Sequence, residues 1–237
     1  MSSTSRPVQG AFPDTRWSLV LSGDRGVALD HLAAAYWRPI FGYVRARFAR
    51  DEAEALDATQ EFFVRLLEGE LLDRADPSRG RFRAYVRAAL ANFLADETRR
   101  AGSRRRGGDR RFVPLDVAAG EDFPLPDTRG RSPDEALDEL WRAETLARAA
   151  RELEAELVAE GKAAWWSLFR ARVLDGDAAS DADLATSHGI SVVDVTNWLS
   201  RARVRYRAAL IRVVRETVAG DASLADELAW LLGEARP

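Results

Sequence analysis

The segment SDADLATSHGISVVDVTNWLSRARVRYR, Ser180 to Arg207, decides how this chain is read. A short helix carrying Leu184 and Ala185 runs into Gly189. Ile190 follows as a plug for the core, and Ser191 caps a longer helix with Val195 and Leu199 on its inner side. This is a helix-turn-helix pattern: the glycine permits a tight turn, the small Ala185 lets the helices cross closely, and the second helix offers its N-terminal face to a DNA major groove. On that face lie Val192, Val193, Asp194, Thr196, Asn197 and Ser200. Asn197 is the best base reader, because a carboxamide pairs bidentately with adenine, while Thr196 and Val193 suit a thymine methyl. Arg201, Arg203, Arg205 and Arg207 suit phosphates and would fix the register. Asp194 sits awkwardly beside phosphate and has two readings, accepting from a cytosine amino group or capping the helix. An ordinary helical hairpin also uses a glycine turn. The run from Val195 to Arg215 argues against it, with six arginines and no acid.

The rest of the chain places this element in context. Its 237 residues are 46% hydrophobic, enough for one large or two small cores. Net charge is -3, but the charges are separated: seven arginines and one aspartate lie between Arg99 and Arg111, while acids gather in 51–76 and 121–160. Local potential governs attraction to phosphate more than the total does, so one face can hold nucleic acid and another a protein. Cysteine is absent, which excludes disulfides, thiolate metal sites and a cysteine nucleophile. His31 and His188 are the two imidazoles. No apolar run approaches the roughly 20 residues of a membrane span, and MSSTSRPVQG lacks a signal peptide's apolar core. The expected location is the cytoplasm, with no membrane partner.

Apolar residues recur at three- and four-residue spacing and strand alternation never persists, so the expected fold class is all-α. Helices are predicted over about Val27–Phe48, Asp51–Leu67, Phe82–Arg100, Pro133–Glu160, Ala163–Leu174, Asp181–Ser187 and Ser191–Arg215, with SLADELAWLL as a last amphipathic segment. The first should bury Leu29, Leu32, Ala35, Tyr36, Ile40, Tyr43, Val44 and Phe48, with Pro39 bending or dividing it. The second should bury Leu56, Thr59, Phe63, Leu66 and Leu67. Prolines 114, 124, 126 and 133 mark a linker. The expected organisation is a tail over 1–14, a helical domain over 15–102, a flexible linker over 103–133, a helix-turn-helix domain over 134–215 and a helical extension over 216–237. In that extension Leu224, Leu228, Trp230 and Leu231 read most simply as packing on the second domain, with a regulatory latch as the other reading.

Three motifs carry a family resemblance. GISVVDVTNWLSRAR, Gly189 to Arg203, resembles the region-four recognition segment of extracytoplasmic-function RNA polymerase sigma factors, of the sigma-70 superfamily. DATQEFFVRLL, Asp57 to Leu67, is similar to that family's region-two helix, and FRAYVRAALANFLADETRR, Phe82 to Arg100, to the promoter-melting helix that follows. The resemblance spans about residues 15 to 215. It implies a bacterial initiation factor that binds core RNA polymerase, recognises minus-thirty-five and minus-ten promoter elements and promotes melting, without a cofactor or metal. Asp57, Gln60, Glu61, Phe63 and Arg65 would meet the clamp helices of the polymerase largest subunit, a helix-against-helix contact. The plainer reading has an exposed acidic helix with Phe63 in its own core. Arg79, Arg81, Arg83, Arg87, Asn92, Asp96, Arg99 and Arg100 would serve the minus-ten element, cations holding the single-strand backbone and polar groups an unstacked base. Asn92 reads equally as a buried packing amide; Phe82 and Tyr85 are aromatic enough to stack on bases, while their spacing favours core packing. Val192, Val193, Asp194, Thr196, Asn197, Ser200, Arg201, Arg203 and Arg205 would serve the minus-thirty-five element. Further partners the resemblance admits are an anti-sigma factor or a kinase.

The chain departs from the family at Trp198, a core anchor or a phosphate-side contact, and in the acidic entry DGDAASDADLA. No phosphate-binding glycine loop, metal-ligand cluster or Ser-His-Asp arrangement is found, so no enzymatic activity is expected. A stand-alone helix-turn-helix operator-binding regulator explains the second domain and leaves the first without a purpose. An adaptor that has lost DNA binding is disfavoured by the arginine clusters.

Overall fold

The computed structural model describes residues 25–48, 51–68, 82–103, 126–218 and 221–233. Its regular elements are helical throughout, with no strand among the described residues: α1 (Arg25–Arg47), α2 (Glu52–Glu68), α3 (Phe82–Ser103), α4 (Pro133–Ala159), α5 (Ala163–Phe169), α6 (Asp181–His188), α7 (Val192–Arg215) and α8 (Asp221–Leu231). The all-α class is as read from the sequence.

The helix starts are set by local chemistry. Asp51 accepts from the Glu54 amide at 2.8 Å, and Glu52 and Glu54 place negative charge at the positive end of α2. Ser132 and Glu135 close a capping box on α4, with Pro133 where a missing N–H costs nothing. Ser180 and Asp183 repeat the device on α6. Past α5 the coil widens into a π turn, Arg170–Leu174, whose end is marked by the Asp175 amide donating to the Arg170 carbonyl at 2.9 Å. Pro39 neither ends nor divides α1, which runs through it.

The chain divides into two compact units, each built from separated stretches. One joins Met1–Ala34, Gln60–Val113 and Arg215–Pro237. Its core sets Phe62, Phe63 and Leu66 of α2 with Val86, Leu90, Phe93 and Leu94 of α3. The Phe62 ring meets Phe63 at 5.9 Å and Phe93 at 5.6 Å, both edge to face, the arrangement that the ring quadrupoles favour. Leu224 and Leu231 of α8 are buried, and Glu227 lies between them in the same stripe. A carboxylate in that position needs a cation. Arg83 of α3 supplies it, 3.5 Å from Glu227, and its guanidinium lies 3.8 Å from the Trp230 ring centroid. This corrects the expectation that the extension packs on the helix-turn-helix domain: these contacts of α8 are with α3.

The other unit joins Ala35–Thr59 and Pro114–Val214. Tyr36, Trp37, Ile40, Tyr43 and Val44 of α1 are buried, as are Leu137, Leu140 and Trp141 of α4. Tyr36 stacks on Trp141 at 6.5 Å. Phe48, expected inside, is 46% exposed just past the helix end, where it meets Tyr43 at 5.9 Å. Ala35 and Leu56 are half-buried rather than buried. Leu29, Leu32 and Leu67 have side chains outside the described set. A second cluster groups Leu153, Leu157, Trp166, Phe169 and Ala202, so that α4, α5 and α7 share one core. A third joins Leu168, Leu184, Ala185, Val195 and Leu199, with Ile190 and Trp198 against it.

Candidate nucleic-acid interface

The third cluster fixes the helix-turn-helix. Ala185 is 5% exposed where α6 meets α7, and Gly189 ends α6 at φ 64°, a left-handed conformation that a side chain disfavours. The Ile190 amide closes the turn by donating to the Ala185 carbonyl at 3.0 Å. Val195 and Leu199 then face inward, which turns Val192, Val193, Thr196, Asn197, Ser200, Arg201 and Arg203 outward, all exposed.

Asp194 is explained by its neighbours. Its amide donates to the Ser191 hydroxyl oxygen at 3.1 Å, and its carboxylate accepts from the Ser191 hydroxyl at 2.7 Å. Of the two readings left open, capping is the one this geometry displays. Val204, which the sequence reading passed over, is 69% exposed and joins Val193, 68% exposed. At 100° per residue these two valines, Asn197 and Ser200 fall within about 60° of one another, a narrow stripe with an apolar contact at each end. An apolar residue with charge on both sides was the signal that could have found it.

The arginines divide by their partners. Arg201 and Arg203 are exposed, with no hydrogen bond or ion pair among the described residues. Arg205 donates to Glu160 at 2.8 Å and lies 3.9 Å from Glu156. Its hydrogen bond, helped by Lys162, holds the Glu160 carboxyl down at about 2. Trp198 is an anchor with an electrostatic edge: it stacks on Trp165 at 5.8 Å, and Lys162, Arg201 and Arg205 ring Trp165 at 5.0, 5.7 and 5.9 Å. Tyr206 donates to the Leu146 carbonyl, and burial pushes its hydroxyl up to about 12.

In the other unit, α3 presents Ala84, Ala88, Ala91, Asn92, Ala95 and Arg99 to solvent, with Tyr85 and Asp96 half-buried among them. The open question about Asn92 is answered: it is exposed, not a packing amide. Arg99 pairs with Asp96 at 2.5 Å and Arg100 with Glu97 at 3.0 Å. Such exposed pairs hold their arginines weakly. Arg83 is not on this face, and Arg87 is half-buried at its edge. Arg83 lies nine residues before Asn92, about half a turn away, and is the anchor of α8. Arg79, Arg81 and the side chain of Phe82 lie outside the described residues.

The group expected at polymerase is also divided. Phe63 is wholly buried in the α2–α3 core and Gln60 is 9% exposed, whereas Glu61 is exposed and Asp57 half-buried. Arg65 donates to Glu61 at 2.9 Å and Glu97 at 3.0 Å over the Phe93 ring, so it ties α2 to α3. The sequence reading missed a further cluster. Glu144 of α4, 3% exposed, accepts from Arg38 of α1 at 2.7 Å and from Arg151 at 2.5 Å. A glutamate spaced three and four residues from Trp141 and Leu140 on the buried face was its signal.

No group of three histidine, cysteine or acidic residues among the described residues is placed to hold a metal ion. No helix among them is long and apolar enough to cross a membrane. The described residues form a helical protein that includes a helix-turn-helix over α6 and α7. Residues 32–104, which hold α2, α3 and most of α1, match the model of the Sigma-70 region 2 family. No curated protein matches the chain. The match supports a sigma-70 family member, with a sigma factor's role in promoter recognition and RNA polymerase binding; factors of that family are non-enzymatic initiation factors.

Proposed function

We propose that this chain is a sigma factor of the extracytoplasmic-function type, a bacterial cytoplasmic protein that brings core RNA polymerase to promoters and favours their melting. The observation that carries the reading is a region-two match over residues 32–104 together with a helix-turn-helix farther along the same chain. In this reading residues 15–102 engage polymerase and the minus-ten element, 103–133 link, 134–215 read the minus-thirty-five element and 216–237 form an extension.

The exposed faces support a division of labour. On α7, Val193, Thr196, Asn197, Ser200 and Val204 face the bases, while Arg201 and Arg203 take phosphates. On α3, Asn92 and Arg99, with the weakly paired Arg100, face a separated strand, and Tyr85 is within that stripe for stacking. On α2, Asp57 and Glu61 meet the clamp helices, with Gln60, Phe63 and Arg65 shaping the helix behind them. Such a factor acts by binding energy: it stabilises the melted promoter within polymerase more than the closed one.

The test is transcription in vitro with bacterial core polymerase and a promoter library, comparing the wild-type chain with Glu61→Ala and Asn92→Ala. Start-site-specific transcripts that depend on both residues support the reading. Absence of transcripts and of core binding, with tight operator binding by the chain alone, would replace it with the stand-alone regulator.

A further inference from the structure

Two tryptophans and three cations meet beside the outward face of α7, all within one compact unit. Trp165 of α5 stacks on Trp198 at 5.8 Å with 29° between the ring planes, and both are half-buried. The Trp165 ring centroid lies 5.0 Å from Lys162, 5.7 Å from Arg201 and 5.9 Å from Arg205. Two of these cations are engaged by acids: Lys162 pairs with Glu160, and Arg205 with Glu160 at 2.8 Å and Glu156 at 3.9 Å. Arg201 is exposed, and the indole face is what it touches.

Arg201 stands apart by its place around the helix. Measured from the middle of the stripe Val193, Asn197, Ser200 and Val204, the exposed Arg207 and Arg203 lie about 50° and 90° to one side. Arg201 lies about 70° to the other, with Arg205 and Trp198 beyond it. A helix seated in a major groove has a phosphate backbone along each side. One strand therefore meets two exposed arginines, whereas the other meets Arg201 in front of an Arg205 already paired with carboxylates. An unheld arginine spreads over many rotamers, and a phosphate contact has to gather them into one.

We infer that Trp165 is a positioning residue for DNA binding: its ring, braced by Trp198, holds the Arg201 guanidinium on the α5 side of the reading stripe, where it meets the phosphates of one strand. The inference rests on the sigma-factor reading and adds to it a residue outside the helix-turn-helix. A guanidinium stacked on an aromatic face keeps its N–H edge open, so Arg201 can rest on the indole and donate to phosphate at once. Trp198, where the chain departs from the family resemblance, acts as the brace that keeps the Trp165 ring in place.

The test is binding of the full chain, in complex with bacterial core polymerase, to a labelled duplex chosen from the promoter library, over a series of salt concentrations. Arg201→Ala should weaken binding and make log affinity against log salt shallower by about one phosphate contact, ~0.9 in slope. Trp165→Leu should weaken binding roughly two- to fivefold in the wild-type chain and leave it unchanged in the Arg201→Ala chain. Trp165→Tyr, which keeps an aromatic face, should bind within about twofold of wild type. A merely structural role predicts equal losses from Trp165→Leu in both backgrounds, with base preference relaxed as well. That result, or no loss in either background, would overturn the inference while leaving the sigma-factor reading in place. Failure of the wild-type complex to bind any promoter duplex would remove that reading and the inference with it.

Discussion

Replacing Glu144 tests how this fold tolerates a charge in its interior. The carboxylate side chain is 4% exposed, and its partners Arg38 and Arg151 are 14% and 30% exposed. Removing one member of a buried ion pair costs about 3–5 kcal/mol, chiefly because the remaining charge is left without compensation. Arg151 can turn partly toward water, whereas Arg38 has less room, so Glu144→Ala should fall near the lower end, about 3 kcal/mol. Glu144→Gln keeps the volume and one acceptor oxygen but turns its NH2 toward one of the two arginines, so one charged hydrogen bond is lost, at about 2 kcal/mol. The informative variant is Arg38→Met combined with Glu144→Leu. It removes both buried charges and fills the space, and is expected within about 1 kcal/mol of wild type. Urea unfolding followed by tryptophan emission and by far-ultraviolet circular dichroism, with coincident transitions, gives these differences. Trp141, 2% exposed and three residues from the site, is among the emitting groups. A loss below about 1 kcal/mol for Glu144→Ala, or a double variant as damaged as the two single ones added, would refute the reasoning.

Other consequences are as direct. Under the proposed sigma-factor reading, Asn197→Ala should lose about 1–3 kcal/mol of binding to the preferred minus-thirty-five duplex and relax preference at one base pair, measured by competition on a randomised library. Equal losses on every sequence would assign Asn197 to phosphate instead. Gly189→Ala meets no steric neighbour within 4 Å but must keep φ 64°, so it should cost about 1–2 kcal/mol in thermal or urea unfolding, and a neutral result would mean the turn relaxes. The Glu160 carboxyl, lowered from 4.5 to about 2, should titrate near pH 2 by carbon-detected NMR. Because its folded value is depressed, the stabilisation of the Arg205 and Lys162 contacts is complete above pH 4.5 and fades as pH falls through about 2. Arg205→Ala should move that midpoint upward; an unmoved midpoint would deny the hydrogen bond its part. Ser191→Ala removes the reciprocal cap with Asp194 and should cost about 1 kcal/mol, seen as faster amide exchange at the start of α7.

Much of this molecule was determined by the sequence by itself, because helices and their ends depend on near neighbours. Apolar spacing located α1 to α8, and serine or aspartate with an acid three residues on marked the starts of α4, α6 and α7. The helix-turn-helix was legible for the same reason: Ala185, Gly189, Ile190, Val195 and Leu199 all act within fifteen residues. The outward position of Thr196, Asn197 and Ser200 follows once the inner side is known. Tertiary structure decided which groups meet across long separations. Arg83 carries the same guanidinium as Arg99, and only packing assigns one to Glu227 and Trp230 and leaves the other on the exposed face with Asn92. Phe62 and Phe63 are adjacent in a helix, yet both are buried, which a single apolar stripe does not predict. Glu144 is one more acid in an acidic helix until Arg38 arrives from α1. The physical reason is common to these cases: caps and periodicity are short-range, whereas the cost of burying a charge depends on which distant partner the fold brings to it.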